Sequence, residues 1–391
     1  MAKNQRIRAE YLPYGRQWVD EADVNEVIKV LQSDYLTTGP VVTEFEQAFA
    51  SNVDAKYAVA FSNGTAALHG ACFAAGIEKG DEVITTPMTF AASANCILYQ
   101  GGKPIFADIN NQTYNIDPNE IKKKITSKTK AIIPVDFTGQ PANLDEILDI
   151  AKKYNLVVIE DAAHAIGATY KNRKVGSISD MTMFSFHPVK HITTGEGGII
   201  TTNNRRYYEA LIQFRSHGIT RNRNKLIDDD GPWYYDMQFL GYNYRMTDIQ
   251  AALGKSQLKK VDKFVNLRKK FVSLYNNAFK NLDEVITPHQ LNETSSSWHL
   301  YIIKLNKSKL AVNRKELFER LIKENIGVNV HYIPVYYLSY YQELGYKRGL
   351  CPKAEELYEN IITLPLFPKM TESDVNDVIQ ALYRALNRYR K

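Results

Sequence analysis

Cysteine and long apolar runs are scarce in this sequence of 391 residues, and their scarcity excludes several classes of protein. The three cysteines, Cys72, Cys96 and Cys351, are too few and too scattered for a disulfide framework or a zinc site. The first two lie in apolar stretches and are predicted to be buried thiols. No apolar run is long enough to span a membrane, and the N-terminal residues lack the apolar stretch of a signal peptide. We therefore expect a cytoplasmic protein with no membrane partner and no metal.

Charge of one sign is also scarce. Forty-nine basic and 43 acidic residues leave a net charge of +6, and no block of Lys and Arg resembles a nucleic-acid-binding patch. The glycine fingerprint Gly-x-Gly-x-x-Gly after a strand is missing, as is a complete Walker motif, which argues against dinucleotide and nucleoside-triphosphate binding. A Rossmann-type sugar epimerase loses support for the same reason. The length favours two lobes.

Short apolar runs alternate with helical patterns from about residue 57 to 202. The predicted strands are residues 57–61, 82–85, 103–107, 131–135, 156–159, 181–186 and 198–202, and the predicted helices among them are 64–75, 90–99 and 144–154. This alternation predicts an α/β fold with a mostly parallel, doubly wound central sheet.

The flanking segments predict two helices before this block and a smaller α+β domain after it. Val24, Val27, Ile28 and Leu31 mark the first helix by their spacing, and Pro40 opens the second. The charged segment 221–231, which ends in three aspartates and a glycine, is predicted to be a solvated loop rather than a metal site. The later predictions are a helical region 247–279, a connector 294–297, strands 299–305 and 328–331, and helices 314–324 and 372–388. The predicted domains are residues 1–255 and 256–391.

Lys190 has few other charged residues near it in the sequence. Between Val175 and Gly198 the only other formal charges are Asp180 and Glu196. A partly buried lysine has a lowered pKa because desolvation disfavours the ammonium form, and its free amine can form a Schiff base. The alternative is a surface lysine whose stem lies along apolar neighbours.

Two carboxylates, Glu160 and Asp161, end a strand that is apolar throughout. Ligands of open parallel sheets lie beyond the carboxyl ends of the strands. Successive side chains face opposite sides, so only one of the two is expected to reach the crevice. A carboxylate there can hold the protonated pyridine nitrogen of a pyridoxal ring. The alternative is that Asp161 caps a following helix.

The segment Ser62-Asn63-Gly64-Thr65-Ala66-Ala67 lies at a predicted strand-to-helix turn. The free N–H groups and the dipole of a helix N-terminus suit a phosphate, and glycine lets the backbone approach it closely. Many such turns bind nothing, so the motif alone is weak.

Together these segments resemble the sugar aminotransferases of the DegT/DnrJ/StrS family, which are pyridoxal-phosphate enzymes of the aspartate-aminotransferase fold (fold type I). The resemblance runs from about Tyr14 to the last helix. Its motifs, in chain order, are Tyr35 to Pro40, Ser62 to Leu68, Thr89-Phe90, Glu160 to His164, Ser185 to Lys190, Thr194 to Gly198, Gly241 to Met246 and His331 to Pro334.

The resemblance implies roles for the residues that contact the cofactor ring. Lys190 would bind the cofactor covalently and later move the proton, Asp161 would pair with the pyridine nitrogen, and His164 would contact the ring hydroxyl. Phe90 would stack on the face of the pyridine. The alternatives are a capping or core histidine at position 164 and a core phenylalanine at position 90.

The resemblance also implies how the phosphate is held. Gly64, Thr65 and Ser185 would bind it from the same chain, and Asn243 would reach it from the neighbouring subunit. The second contact implies a homodimer with shared active sites.

The sequence further resembles the subgroup that aminates carbon-4 of a UDP-linked 4-keto-6-deoxy sugar on the way to pseudaminic acid. Asp136 stands where many relatives carry histidine, and that subgroup shares the aspartate; the Asn63-Gly64 pair departs from it. The residues that fall where the subgroup contacts its sugar nucleotide are Tyr14, Tyr35, Leu36, Thr37, His331, Tyr332 and Pro334.

This resemblance implies transfer of an amino group from L-glutamate to carbon-4 of a UDP-linked 4-keto-6-deoxy-N-acetylhexosamine. Amination at carbon-3, or of a dTDP- or GDP-linked sugar, is the alternative within the family. A non-catalytic sugar-nucleotide-binding regulator is the alternative of another class, and it would be expected to lack Lys190 or Asp161. No residue is assigned to the carboxylate of glutamate, for which Arg245 is one candidate.

Overall fold

The computed structural model describes residues 7–228 and 230–389 of the chain. The helices are α1 (Glu21–Leu31), α2 (Pro40–Asn52), α3 (Gly64–Ala74), α4 (Ala92–Tyr99), α5 (Pro118–Lys124), α6 (Leu144–Tyr154), α7 (Arg205–Phe214), α8 (Asp248–Leu258), α9 (Val261–Phe279), α10 (Arg314–Lys323), α11 (Ser339–Glu343), α12 (Pro352–Asn360) and α13 (Glu372–Asn387). The strands are β1 (Tyr57–Phe61), β2 (Glu82–Thr85), β3 (Lys103–Phe106), β4 (Thr129–Ile133), β5 (Val157–Asp161), β6 (Thr169–Tyr170), β7 (Arg173–Lys174), β8 (Met181–Ser185), β9 (Gly198–Thr202), β10 (Ile219–Thr220), β11 (Asp236–Met237), β12 (Val285–Ile286), β13 (Thr294–Ser295), β14 (Tyr301–Leu305) and β15 (Ile361–Leu364).

A seven-stranded central sheet has the order β1-β9-β8-β5-β4-β2-β3. The pairs from β3 to β8 are parallel, whereas β9 is antiparallel to both β1 and β8. The prediction of a mostly parallel α/β sheet is confirmed, with β9 as its exception. The connection from β8 to β9 contains no helix, and a parallel return would need a longer crossover, usually through a helix.

Helices predicted from apolar spacing lie close to their expected positions. The prediction for α6 is correct at both ends, and α13 ends one residue earlier than expected. The helical region 247–279 is two helices, α8 and α9, separated at Lys259 and Lys260. The predicted strand 328–331 is wrong, because only a single bridge, from Asn329 to Thr363, forms there. The predicted connector 294–297 begins with the short strand β13.

Caps explain where several helices begin. Asn63 caps α3 by accepting the Ala66 N–H at 2.8 Å, and Thr247 forms a capping box with Gln250 at the start of α8. Each such cap satisfies an amide that the first helical turn leaves without a partner. The cap of α3 fixes the turn that was singled out as a phosphate-binding candidate.

The predicted first helix is present, but three of its four marker residues face outward. Val24, Ile28 and Leu31 are exposed, although their spacing is that of a buried face. The buried side is formed instead by Val30 and by Asp23, whose carboxylate accepts a hydrogen bond from Gln257 at 2.6 Å. An apolar stripe without cover in a single chain indicates a surface that meets another molecule.

The C-terminal elements have a core of their own. Side chains of α9, β14, β15, α10 and α13 pack into one buried apolar cluster. The predicted domain boundary at residue 255 falls within α8, and the division into 1–255 and 256–391 stays a prediction, with residues 1–6, 229 and 390–391 outside the described chain. Cys72, Cys96 and Cys351 are buried free thiols.

Within the described ranges, no helix is both long and apolar enough to cross a bilayer. Nor does that part of the chain bring three or more His, Cys, Asp or Glu side chains together as metal ligands. Asp228 and Asp230 belong to the predicted solvated loop, and Asp229 lies outside the described residues.

Candidate active site

The carboxyl ends of three neighbouring strands converge with the start of β9. In the sheet register Phe61 lies opposite Gly198, Gly198 lies opposite Ser185, and Asp161 pairs with Met183. A cavity of about 970 Å³ opens at this point, between the sheet and the segment 329–338. Its size and its mixed apolar and polar lining are those of a small-molecule site.

Ten of the predicted site residues line this cavity. They are Tyr14, Gly64, Thr65, Phe90, Asp161, His164, Ser185, Lys190, His331 and Tyr332.

Lys190 lies in the loop that joins β8 to β9. The loop is fixed by the Lys190 N–H, which donates to the His187 carbonyl at 2.9 Å, and by the neighbouring His191, whose ring contacts the Ser297 carbonyl at 2.9 Å. Burial lowers the pKa of Lys190 to about 8, partly offset by the carboxylate of Asp161. A lysine in this state has an accessible free amine near neutral pH, which a Schiff base requires. The alternative of a surface lysine is wrong.

Asp161 reaches the cavity and Glu160 does not, as the alternation along the strand predicted. One oxygen of Asp161 accepts the Ser93 hydroxyl at 2.6 Å, and the other accepts the Ala163 N–H at 3.1 Å. Burial raises the pKa of this carboxyl, while Ser93, Ala163 and Lys190 oppose the rise. The alternative of a helix cap is wrong because no helix begins after Asp161.

His164 is buried beside the cavity. Its Nε2 lies 3.1 Å from the Tyr332 hydroxyl, and its ring centre lies 4.4 Å from that of His299. Its Nδ1 is buried without a hydrogen-bond partner in the described structure. Burial, together with the charge of Lys190, holds the pKa of His164 well below its usual value, so the ring is neutral at physiological pH. A neutral imidazole can donate to or accept from a ring hydroxyl.

The turn after β1 forms a cradle with Ser185. A Cβ atom built on Gly64 would lie 3.3 Å from the Ser185 Cβ, so the two residues almost touch. A Cβ on Gly198 would lie 2.6 Å from the Asn63 carbonyl oxygen, which explains the glycine at the start of β9. The cap by Asn63 takes only the Ala66 amide, and the N–H groups of Gly64 and Thr65 belong to the first helical turn, which lacks internal partners. Amides and a hydroxyl at this point can hold a phosphate.

Phe90 is 64% exposed although it lies in the cavity wall. Its ring centre is 6.5 Å from that of Tyr332. The alternative of a core phenylalanine is therefore wrong, since the ring presents an open face to the cavity. Such a face can stack on a planar heterocycle.

Two further predicted residues meet across the same wall. The rings of Tyr14 and His331 lie 5.3 Å apart, and the His331 Nδ1 is 2.9 Å from the Thr363 hydroxyl. Burial lowers the pKa of His331 to about 3. This part of the wall is therefore aromatic and uncharged.

The remaining predicted residues do not line the cavity of their own chain. They are Tyr35, Leu36, Thr37, Asn243 and Pro334. The first four are exposed, whereas Pro334 is buried. Arg245 is also absent from the lining, and no arginine contributes to it among the described residues.

Sequence reasoning missed Ser93 and His299. Ser93 lies in the first turn of α4, where it donates to Asp161 and contacts the Thr89 hydroxyl at 2.7 Å. His299 packs against His164 from the segment before β14. The polar pair Thr89 and Ser93, four residues apart in an apolar stretch, was the available signal for the first of them. Nothing near His299 in the sequence pointed to the site.

The chain belongs to the DegT/DnrJ/EryC1/StrS aminotransferase family, whose pattern it matches over residues 17–383. It is accordingly an enzyme, a nucleotide-sugar aminotransferase that depends on pyridoxal phosphate. The predicted family, fold class and cofactor are confirmed. The alternatives of a non-catalytic regulator and of a Rossmann-type epimerase are wrong.

Three relatives cover nearly the whole chain. The spore coat polysaccharide biosynthesis protein SpsC of Bacillus subtilis is 42% identical over 377 residues, which are 96% of this chain and 97% of that protein. The UDP-4-amino-4,6-dideoxy-N-acetyl-beta-L-altrosamine transaminase of Campylobacter jejuni is 39% identical over 383 residues, which are 97% of this chain and 99% of that protein. The structure of Helicobacter pylori PseC, an aminotransferase involved in the biosynthesis of pseudoaminic acid, matches with a TM-score of 0.90 and 33% identity, over 97% of this chain and 100% of that one.

The residues of the cavity fit pyridoxal phosphate. The cradle of Gly64, Thr65 and Ser185 suits its phosphate, and the buried Nδ1 of His164 lacks a partner in the described structure. Lys190 supplies an amine and Asp161 a carboxylate to the same cavity. Each polar group of the cofactor thus has a complementary group in the wall.

Proposed function

We propose that the enzyme transfers the amino group of L-glutamate to carbon-4 of a UDP-linked 4-keto-6-deoxy-N-acetylhexosamine, as in the pathway to pseudaminic acid. The observation that carries the proposal is the whole-length similarity to the Campylobacter jejuni transaminase and to the Helicobacter pylori structure. The aspartate at position 136, which that subgroup shares, supports it.

A different sugar is the second candidate. SpsC, named for spore coat polysaccharide biosynthesis, is 42% identical, compared with 39% for the Campylobacter jejuni transaminase. The uncharged wall around Tyr14 and His331 is compatible with either sugar. The name of SpsC specifies neither the carbon nor the nucleotide, so this similarity supports only a sugar for a different polysaccharide. Amination at carbon-3, or of a dTDP- or GDP-linked sugar, is the alternative within the family.

We call the side of the cavity that carries Lys190 and Asp161 its inner wall, and this wall would perform the chemistry of the proposal. When bound, pyridoxal phosphate supplies the aldehyde carbon that accepts the amino group and the ring that accepts electrons. Nζ of Lys190 would hold the aldehyde carbon of the cofactor. Once the amine of glutamate displaces it, the freed Nζ would take a proton from the α-carbon of glutamate, which its lowered pKa allows near neutral pH. Asp161, held by Ser93 and the Ala163 amide, keeps a negative charge opposite the pyridine nitrogen.

The remaining groups orient and shield the reacting atoms. His164, neutral and held by Tyr332, would contact the ring hydroxyl of the cofactor. Phe90, which presents an exposed ring to the cavity, would stack on one face of the cofactor ring and exclude water from it. The amides of Gly64 and Thr65 and the Ser185 hydroxyl hold the phosphate.

The functional unit is a homodimer in which residues 219–228 and 230–243, called the arm, reach the cavity of the neighbouring copy. The arm exposes apolar side chains to an extent unusual in a monomer: Ile227 is 87%, Trp233 67% and Leu240 77% exposed. Asn243, at the end of the arm, is exposed and outside the cavity of its own chain. A second copy would cover the arm and bring Asn243 to a phosphate cradle.

The substrate is tested with purified protein, glutamate and a panel of UDP- and dTDP-linked 4-keto-6-deoxy sugars. We expect turnover with the UDP-linked N-acetylhexosamine. NMR should place the new amine on carbon-4 and determine whether it is axial or equatorial. An amine on carbon-3, or turnover of dTDP-linked sugars alone, would favour the second candidate. Loss of the yellow colour on adding glutamate without sugar tests the donor, with L-alanine as the comparison.

A further inference from the structure

Two fully buried carboxyl groups lie behind the cavity and take no part in the proposed chemistry. Asp136 follows β4, and Glu160 precedes Asp161 in β5. The two carboxyl groups are close enough that each shifts the pKa of the other. Neither lines the cavity.

A proton shared between these carboxyls would satisfy two buried oxygens that otherwise lack a donor among the described residues. One oxygen of Glu160 accepts the hydroxyls of Ser179 and Thr182, each at 2.9 Å, and one oxygen of Asp136 accepts the Ala142 N–H at 2.9 Å. The other two oxygens, Asp136 Oδ2 and Glu160 Oε1, have no donor within the described structure. Two carboxyl oxygens can hydrogen-bond to each other only if one of them carries a proton.

The surroundings assign that proton to Asp136. Burial raises the pKa of Glu160 as well, but its two hydroxyl donors and the positive charge of Arg173 oppose that rise and favour the ionised form. Asp136 has a single amide donor and faces the charges of Glu160 and Asp161. Burial and those charges raise the pKa of Asp136 well above its usual value. Two adjacent buried carboxylates would not both ionise.

We propose that Asp136 carries one proton shared with Glu160, and that the pair is a positioning device for Asp161. The Asp136 N–H donates to the Asp161 carbonyl at 3.1 Å, and the Asp161 N–H donates to the Pro134 carbonyl at 2.9 Å. The shared proton links the side chains of the two strand ends that these bonds join. It also limits the negative charge behind Asp161 to one unit. The consequence for cofactor binding rests on the proposed function of Asp161.

Infrared spectroscopy of the cofactor-free protein tests for the proton. The wild type is expected to show a protonated-carboxyl C=O band at neutral pH that shifts in heavy water. Asp136→Asn should lose it, because an amide replaces the acid in the same geometry. Asp108→Asn is the matched control, since both oxygens of that buried carboxylate accept backbone N–H groups. Absence of the band in the wild type, or its survival in Asp136→Asn, would overturn the proposal; Asp161→Asn identifies any contribution from Asp161.

The pH dependence of unfolding gives a second test. A carboxyl whose pKa is raised by folding stabilises the protein below its unfolded pKa, and this contribution is lost as the pH rises through the folded pKa. The melting temperature of the wild type should therefore fall on the alkaline side, whereas Asp136→Asn should lack this fall because the amide holds the same hydrogen bonds at every pH. Glu160→Gln places the charge on Asp136, which has fewer donors, and should melt below both proteins at neutral pH.

The functional consequence is read from the dissociation constant of pyridoxal phosphate. We expect it to rise with pH in the wild type over the range in which the melting temperature falls, and to rise less in Asp136→Asn. Parallel curves for the two proteins would rule out a positioning effect on the site. The infrared and melting measurements need neither cofactor nor substrate, so their failure would leave the proposed function intact.

Discussion

A single chain holds the inner wall of the cavity in place by its own contacts, but it leaves the apolar side chains of the arm exposed. Asp161 ends the buried strand β5 and Lys190 lies in the loop after β8, and each is held by hydrogen bonds within the chain. The arm instead exposes Trp233 and Leu240, and its Asn243 does not line the cavity of its own chain. The groups proposed for bond making are thus fixed by the fold of one chain. The groups proposed for the outer phosphate contact depend on a second copy.

The largest effect is expected from removing the amine of the inner wall. Lys190→Ala should lower turnover by at least about 10⁴-fold, because one group binds the cofactor and moves the proton. The yellow absorption of covalently bound cofactor should disappear, as measured by visible spectroscopy alongside steady-state rates. Lys315→Ala, at an exposed lysine of α10, is the control and should change neither. Full activity in Lys190→Ala would contradict the assignment.

A smaller effect is expected from changing the arm, and it should depend on protein concentration. Leu240→Asp places a charge on an apolar surface that we propose is covered by a second copy. It should shift the molecule from dimer to monomer in sedimentation velocity and weaken cofactor binding, because Asn243 would no longer reach the neighbouring phosphate cradle.

Leu344→Asp is the matched control for this variant, since Leu344 is also an exposed leucine but lies in the C-terminal region, after α11. It should leave the mass and the affinity unchanged. A monomeric wild type, or a Leu240→Asp variant that remains dimeric at low concentration, would contradict the proposal that a second copy covers the arm.

Sequence patterns predicted the inner wall better than its supports. Asp161 was recognisable because a charge at the end of an apolar strand is costly unless it has a use, and Lys190 because few other charges lie near it in the sequence. Ser93 and His299 were not, since their contacts with Asp161 and His164 join segments far apart in the chain. The break between α8 and α9 also escaped prediction, because neither glycine nor proline marks it.

The sequence also did not predict which apolar surfaces the chain itself buries. The spacing of Val24, Ile28 and Leu31 correctly predicted a helix, and apolar spacing is normally a sign of burial. In the single chain these residues are exposed, as are those of the arm. A sequence pattern records that a face is apolar, but it does not distinguish cover by the same chain from cover by a second copy.

The smallest effect should come from the hydroxyl that supports the inner wall. Ser93→Ala removes the 2.6 Å hydrogen bond to Asp161 and leaves the Ala163 N–H as its remaining donor. A hydrogen bond to a charged group contributes about 1.5–3 kcal/mol, so the affinity for pyridoxal phosphate should fall by roughly tenfold or more. Equilibrium titration of the cofactor-free protein, followed by fluorescence, measures this change. Ser93→Thr keeps the hydroxyl and should restore most of the affinity, whereas equal affinity in Ser93→Ala and the wild type would mean that Asp161 needs no support beyond its own strand.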